Sequence, residues 1–280
     1  MHIGLATIPT EHSIGPTKLG PALAERGFES LWVTEHTHIP ASRRTPYAWA
    51  DDLPSVYWEC HDPFTFLAQV AAVTDSLKIG TAICLVNQHH PITLAKRSAS
   101  LDSLSDGRFV LGVGAGWNVE EMENHGVEFK SRWKILREHV LAMKACWTEK
   151  DAQYHGEFVD FDPIWQEPKP KSNPLPVYLG AESKWTMDRI AEYADGWLPM
   201  ISPELSGMID QLKEACRVRG RDFSEINITA MGQIDSQETL AELQEMGVDR
   251  TVTDLPTANE SESLEMLDQQ ARVVEWAKSL

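Results

Sequence analysis

No stretch of this 280-residue chain approaches the ~18 consecutive apolar residues that a membrane-crossing helix needs. Met1-His-Ile-Gly-Leu-Ala reads as a strand from the first residue, without the charged and then apolar regions of a secretory leader. Cysteine is scarce. The four present (Cys60, Cys84, Cys146 and Cys216) are widely spaced and form no CxxC pair. That spacing argues against a disulfide framework or a structural zinc site and fits a reduced, cytoplasmic protein. Positive charge is also short: 25 Lys and Arg stand against 42 Asp and Glu, a formal net charge of −17. A field of that sign repels nucleic acid and anionic lipid over most of the surface, so neither is an expected partner. It leaves room for an anion held locally at a helix N-terminus. No Gly-x-Ser-x-Gly elbow and no Walker loop occur, so covalent hydrolysis lacks its motif.

What the chain does contain is a regular alternation. Short apolar runs predict strands at residues 3–8, 30–34, 77–82, 109–114, 176–179, 196–200, 226–231 and 250–253. Amphipathic segments of helical period fall between them. One is stopped at Arg26-Gly27, one opens with Asp62-Pro63 as N-cap and first helical residue, and one opens at Pro91. Later helical stretches span 132–147, 184–193, 203–219, 237–246 and 262–278. Apolar strands without strict alternation suit a parallel sheet covered on both faces. Eight such units in one domain spanning 1–280 fit a (β/α)8 TIM barrel, with a doubly wound open sheet as the alternative. Two insertions interrupt the rhythm and are expected on the C-terminal, ligand-binding face. Residues 40–61 carry Tyr47, Trp49, Tyr57 and Trp58; residues 151–173 contain a small hairpin followed by Trp165.

Three constellations fall at predicted strand ends. In the first, Phe109-Val-Leu-Gly-Val-Gly-Ala-Gly-Trp-Asn118, a strand runs into glycines at 112, 114 and 116 and then an acidic helix start. Glycine there leaves backbone bare for a flat or charged ligand, or for tight packing against a neighbouring element. The spacing is not the dinucleotide fingerprint. The second is Glu35-His36-Thr37-His38, which places a proton-transferring imidazole at the barrel mouth. A histidine capping a loop, or a metal site built on Glu35, His36 and His38, are the competing readings. The metal site lacks obvious further ligands at the other strand ends, where only Asp254 is acidic. The third is Gly180-Ala-Glu-Ser183, whose amides at a helix start could hold one phosphate, with Ser183 as a plain N-cap the alternative.

Taken in order, these pieces resemble the bacterial luciferase-like superfamily of flavin- and deazaflavin-dependent oxidoreductases. The likeness rests on Glu35-His36, Ile79-Gly-Thr-Ala82, His90-Pro-Ile-Thr-Leu-Ala-Lys96, and above all Asp102-Ser-Leu-Ser-Asp-Gly-Arg-Phe109 with Gly112-Val-Gly-Ala-Gly-Trp117. Leu179-Gly-Ala-Glu-Ser183 and Ala194-Asp-Gly-Trp197 complete it. The resemblance implies a barrel with a tricyclic redox ring in its mouth and a non-proline cis peptide at Ala82-Ile83 behind the ring. By the same likeness Gly114, Gly116, Trp117 and Asn118 lie along the cofactor and Gly180, Ala181 and Ser183 hold its phosphate. His36, with Glu35, would be catalytic. Coenzyme F420 is the expected cofactor, with hydride passing to or from a small organic substrate. FMN, with insertion of one oxygen atom from O2, is the alternative, since Glu-His rather than Asp-His ends the second strand. A metal-dependent barrel hydrolase and a non-catalytic flavin-binding barrel are remoter readings. Trp49, Trp58, Trp117 and Trp165 would give an apolar or aromatic pocket, and the family suggests a homodimer.

Overall fold

The computed structural model describes residues 1–280. Eight parallel strands close into a barrel: β1 (His2–Thr7), β2 (Ser30–Val33), β3 (Lys78–Thr81), β4 (Phe109–Gly114), β5 (Val177–Leu179), β6 (Gly196–Trp197), β7 (Asn227–Met231) and β8 (Arg250–Asp254). β1 pairs with both β2 and β8, and β3 with β4, so no edge is left open. The helices that follow the strands are α1 (Pro16–Glu25), α2 (Pro63–Ala72), α3 (Pro91–Leu104), α4 (Arg132–Thr148), α5 (Thr186–Tyr193), α6 (Leu205–Arg219), α7 (Gln237–Glu245) and α8 (Glu260–Ser279). The barrel expected from the alternation is the one observed. No helix is long and apolar enough to cross a membrane, and all four cysteines are free.

Local chemistry explains the helix starts. Asp62 caps α2 by accepting from the Thr65 amide, Ser236 caps α7 through Thr239, and Asn259 caps α8 through Glu262. Pro63 and Pro91 occupy first-turn positions where a missing N–H costs nothing. Helix α5 starts later than the expected Lys184. The Thr186 side chain accepts from the Ser183 amide and so fixes a turn ahead of the helix, with Trp185 at the cap position.

The main apolar core lies between the strands and their jacket of helices and includes Leu31, Leu67, Leu94, Leu136 and Leu212. Inside the barrel the side chains form layers. Near the N-terminal ends of the strands Arg250 forms a bidentate pair with Glu29 and also bonds Thr229. Above it sits an apolar layer of Ala6, Trp32, Val110, Tyr178, Leu198 and Val252, with Trp32 stacked on Tyr178 at 6.2 Å. Ala82, Ile83 and Met231 pack on top of that layer, only partly buried, and form the floor of the mouth.

The two insertions behave differently. Residues 40–61 cross the C-terminal face as expected and are tied at both ends. Glu120 holds the Arg44 and Thr45 amides and the Thr45 hydroxyl, and His61 donates to the Pro9 carbonyl. Residues 151–173 start from the opposite end of the barrel, after α4. Their hairpin (Ala152–His155 with Asp160–Ile164) climbs along α4, where Glu138 accepts the Glu157, Phe158 and Val159 amides at its tip. The tip reaches the rim beside His89 and His90. The base does not. Lys169 bonds the last carbonyls of α4, and Ser172 bonds Asp102 near the end of α3. Trp165, 82% exposed and bonded to Asp151, therefore lies away from the ligand face on which it was expected.

Candidate active site

His36 follows β2 at the mouth. Its Nδ1 lies 2.9 Å from Glu121 Oε2, and the two side chains are only 3% and 2% exposed. No protein group bonds Nε2. The ring packs against Tyr57 at 5.2 Å and Trp117 at 6.1 Å. Tyr47 completes an aromatic wall, touching Trp117 and sharing a hydroxyl–hydroxyl bond of 3.0 Å with Tyr57. Burial, helped by that bond, pushes the Tyr57 phenol above its ordinary range. Tyr57 thus stays neutral, while Glu121 fixes the imidazole from behind.

Glu121 sits in a short helix (Val119–Asn124) capped by Asn118, whose Oδ1 accepts the Glu121 amide. A glutamate at this third position usually turns back to the cap's own N–H. Here it reaches His36 instead. A carboxylate in the first turn is favoured by the helix dipole, which suits an acceptor for an imidazole N–H. Asn118 is buried and its Nδ2 has no partner. Its neighbour Glu120, held by the Thr45 hydroxyl and the Arg44 and Thr45 amides, is lowered to about 2.

Glu35 does not share the mouth with His36. It turns outward and is 2% exposed; His89 Nε2 is 2.8 Å from one carboxylate oxygen and the Leu85 amide 2.6 Å from the other. Burial pushes this carboxyl up, but the bonds from His89 and the Leu85 amide outweigh it and hold it below the usual range. Both oxygens are engaged, so Glu35 shapes the turn after β3 and is not placed to touch a reactant. Cys84 joins Glu35 and His89 within 4.8 Å, and burial raises its thiol well above normal. The trio includes neither His36 nor His38, the histidines of the metal reading. His38 instead faces Asn124 and Thr37.

The peptide Ala82–Ile83 is cis, and Thr34 Oγ1 donates to the Ala82 carbonyl. The Ile83 side chain then occupies the space expected for a ligand beside the glycines. A Cβ on Gly114 would overlap Ile83 Cδ1, and one on Gly180 would come within 2.6 Å of Ile83 Cγ2. The absence of a side chain at Gly114 and Gly180 therefore admits Ile83. Gly116 serves a turn, with φ at +78°. Ala181 is pinned through its carbonyl by Trp197 Nε1, and Ser183 is exposed at the rim with its amide already given to Thr186.

One residue to which the sequence reading gave no role is Glu121. Another is Asp254, the last residue of β8, noted in the sequence only as the one acidic strand end. Thr253 points outward to Gln270 on α8, so the inward-facing set of this strand is Arg250, Val252 and Asp254. Asp254 therefore faces the mouth above the apolar layer. Its carboxylate has no protein partner, and burial raises its pKa.

A flavin-type group fits this arrangement on three counts: an apolar floor of Ala82, Ile83 and Met231, an imidazole with one free nitrogen beside an aromatic wall, and a Ser183 hydroxyl next to a guanidinium, Arg189, at 3.4 Å. The comparisons agree. The model of the luciferase-like monooxygenase family matches residues 18–277, and the chain belongs to that family. An uncharacterised protein of Mycobacterium tuberculosis is 37% identical over 265 residues, 91% of this chain and 92% of its own length. An F420-dependent glucose-6-phosphate dehydrogenase of Nakamurella multipartita is 28% identical over 217 residues, covering 72% and 58%. An FMNH2-dependent dimethylsulfone monooxygenase of Pseudomonas putida is 30% identical over 139 residues, covering 48% and 38%. Among solved structures, a monooxygenase of Streptomyces bottropensis superposes with a TM-score of 0.77 at 19% identity over 97% of this chain and 98% of its own. The chain is thus a barrel oxidoreductase of the flavin or F420 type.

Proposed function

We propose that the chain uses coenzyme F420 to move a hydride to or from a small organic substrate, with His36 giving or taking the accompanying proton. The observation that carries this reading is the His36–Glu121 pair: one ring nitrogen is held by a buried carboxylate and the other has no protein partner. A carboxylate on Nδ1 selects the tautomer and steadies the imidazolium when Nε2 takes up a proton. Bound F420 supplies the two-electron chemistry. The protein's part is to support the ring on Ala82, Ile83 and Met231, to wall it with Trp117 and Tyr57, and to hold its phosphate near Ala181 and Ser183. Gly114, Gly116 and Gly180 let Ile83 and the turn before Trp117 take their places, and Asn118 anchors the helix that carries Glu121. Glu35 acts as a positioning residue beneath the Ile83 turn.

The similarity to an F420 enzyme spans more of the chain than that to the FMNH2 enzyme, 72% against 48%. FMN is the second reading, because the β2 end is Glu35-His36 rather than Asp-His. Fluorescence titration with F420 and FMN side by side separates the two. Micromolar binding of F420 and much weaker binding of FMN is expected, and the reverse result moves the assignment to an FMN monooxygenase. Cofactor binding without turnover of any substrate would favour a purely binding role. A homodimer belongs to this reading and is checked by light scattering.

A further inference from the structure

The cations are outnumbered in this chain, yet two arginines beside the β5 loop have no anionic partner. Arg132 opens α4. Its Nη1 bonds the Phe129 carbonyl, its guanidinium lies 3.8 Å from the Phe129 ring, and its Nε is buried with no partner. Arg189, on α5, bonds the Ser183 hydroxyl at 3.4 Å through Nη1. Both guanidiniums lean on Trp133, at 5.8 and 4.3 Å from its ring. Neither forms an ion pair. The one carboxylate of the β5 loop, Glu182, is turned away to accept the Met200 amide, and Asp188 stands on the same helix as Arg189 without pairing to it. Burial lowers the pKa of both groups, and the charge of Arg189 adds to the effect on Arg132. Two like charges beside one indole, one with an orphaned N–H and neither ion-paired, make a site suited to an anion.

We infer that Arg132 and Arg189 form an anion subsite that continues outward from Ser183 and holds a cofactor tail bearing a further anionic group beyond its first phosphate. The inference rests on the cofactor reading above and sharpens it. A first phosphate meets Ser183 and Arg189, and the next anion meets Arg132 across Trp133. FMN ends at its phosphate and leaves Arg132 unsatisfied. The F420 tail, a phosphodiester followed by glutamyl carboxylates, reaches it. Planar guanidiniums suit both phosphate and carboxylate oxygens.

The test is a fluorescence titration of four ligands: F420, its tail-less chromophore, FMN and riboflavin. Each is titrated into wild type, Arg189→Gln, Arg132→Gln and Arg132→Lys, with thermal unfolding as a check on folding. Losing one charge-assisted bond should weaken F420 binding roughly 10- to 100-fold. Arg189→Gln is expected to weaken F420 and FMN alike. Arg132→Gln should weaken F420 and leave FMN and both tail-less rings within about twofold, with Arg132→Lys recovering part of the loss. The subsite is overturned if Arg132→Gln leaves F420 affinity unchanged, or weakens F420 and its tail-less chromophore equally. It is also overturned if wild type prefers FMN. If no ring binds wild type at all, the cofactor reading itself has failed; if rings bind with no dependence on the tail, only this inference has.

Discussion

Glu121 Oε2 lies 2.9 Å from His36 Nδ1, in a pocket that seals both side chains from solvent. Replacing His36 by Ala is expected to lower kcat by about 10²- to 10⁴-fold, the usual worth of a positioned acid or base. Glu121→Gln should lower kcat by a smaller factor in the same direction. Cofactor affinity should stay within a few-fold in both. Steady-state kinetics beside cofactor titration checks this; an unchanged kcat in His36→Ala removes the proton-transfer role.

Glu120 latches the 40–61 segment. Its folded pKa, about 2, lies below the ordinary 4.5. The latch therefore contributes fully above pH 4.5 and is lost as pH falls toward 2. Glu120→Ala should speed hydrogen exchange and proteolytic cutting near Arg43 and Arg44 at neutral pH, without lowering the barrel's unfolding midpoint by more than a few degrees. Exchange rates that match wild type would show that the loop is held by other contacts.

At the floor of the barrel, burial opposes the charge of Glu29, but Arg250 and Lys78 overcome it and hold the carboxyl near 2. Removing one partner of a buried pair costs about 3–5 kcal/mol. Glu29→Gln should therefore shift the urea midpoint strongly downward at pH 7. In wild type, the same contribution should fade as pH drops from about 4.5 toward 2, so the gap between the two proteins closes in acid.

Gly114→Ala is expected to destabilise by about 1–3 kcal/mol through overpacking against Ile83. Adding Ile83→Ala should recover part of that loss, an interaction that a double-mutant cycle in urea would measure. Strict additivity would show that the glycine is needed for another reason.

Asp254→Asn removes an inward carboxyl that has no partner. Burial raises its pKa, so ionisation opposes folding above that value. The variant should unfold at an equal or higher temperature at pH 7, and the difference should vanish in acid. A lower midpoint at pH 7 would point to a partner for this carboxylate.

The eight βα units were legible because each strand is a short apolar run and the intervening helices carry their own start signals, as at Asp62-Pro63. His36 was legible because strand ends carry function in a barrel. Glu121 was not, because a glutamate three residues after Asn118 looks like an ordinary capping box. Asp254 was visible as the one acidic strand end, but its inward direction was not, because Thr251 and Thr253 on the other face of β8 are buried as well. The glycines of the β4 end were read either as ligand space or as close packing against a neighbour, and only the fold reveals that Ile83, from the turn after β3, packs against Gly114. The origin of the 151–173 hairpin depends on which end of α4 it leaves, and periodicity along the chain alone does not distinguish the mouth from the base for a long insertion.

Glu120 and Glu121 are neighbours on a single turn, and they pull on different things: one on the Arg44–Thr45 backbone, the other on the His36 ring. Any tilt of that short helix is shared between them. The 40–61 segment and the His36 ring are therefore mechanically coupled through one turn of backbone, so a displacement of either is felt by the other.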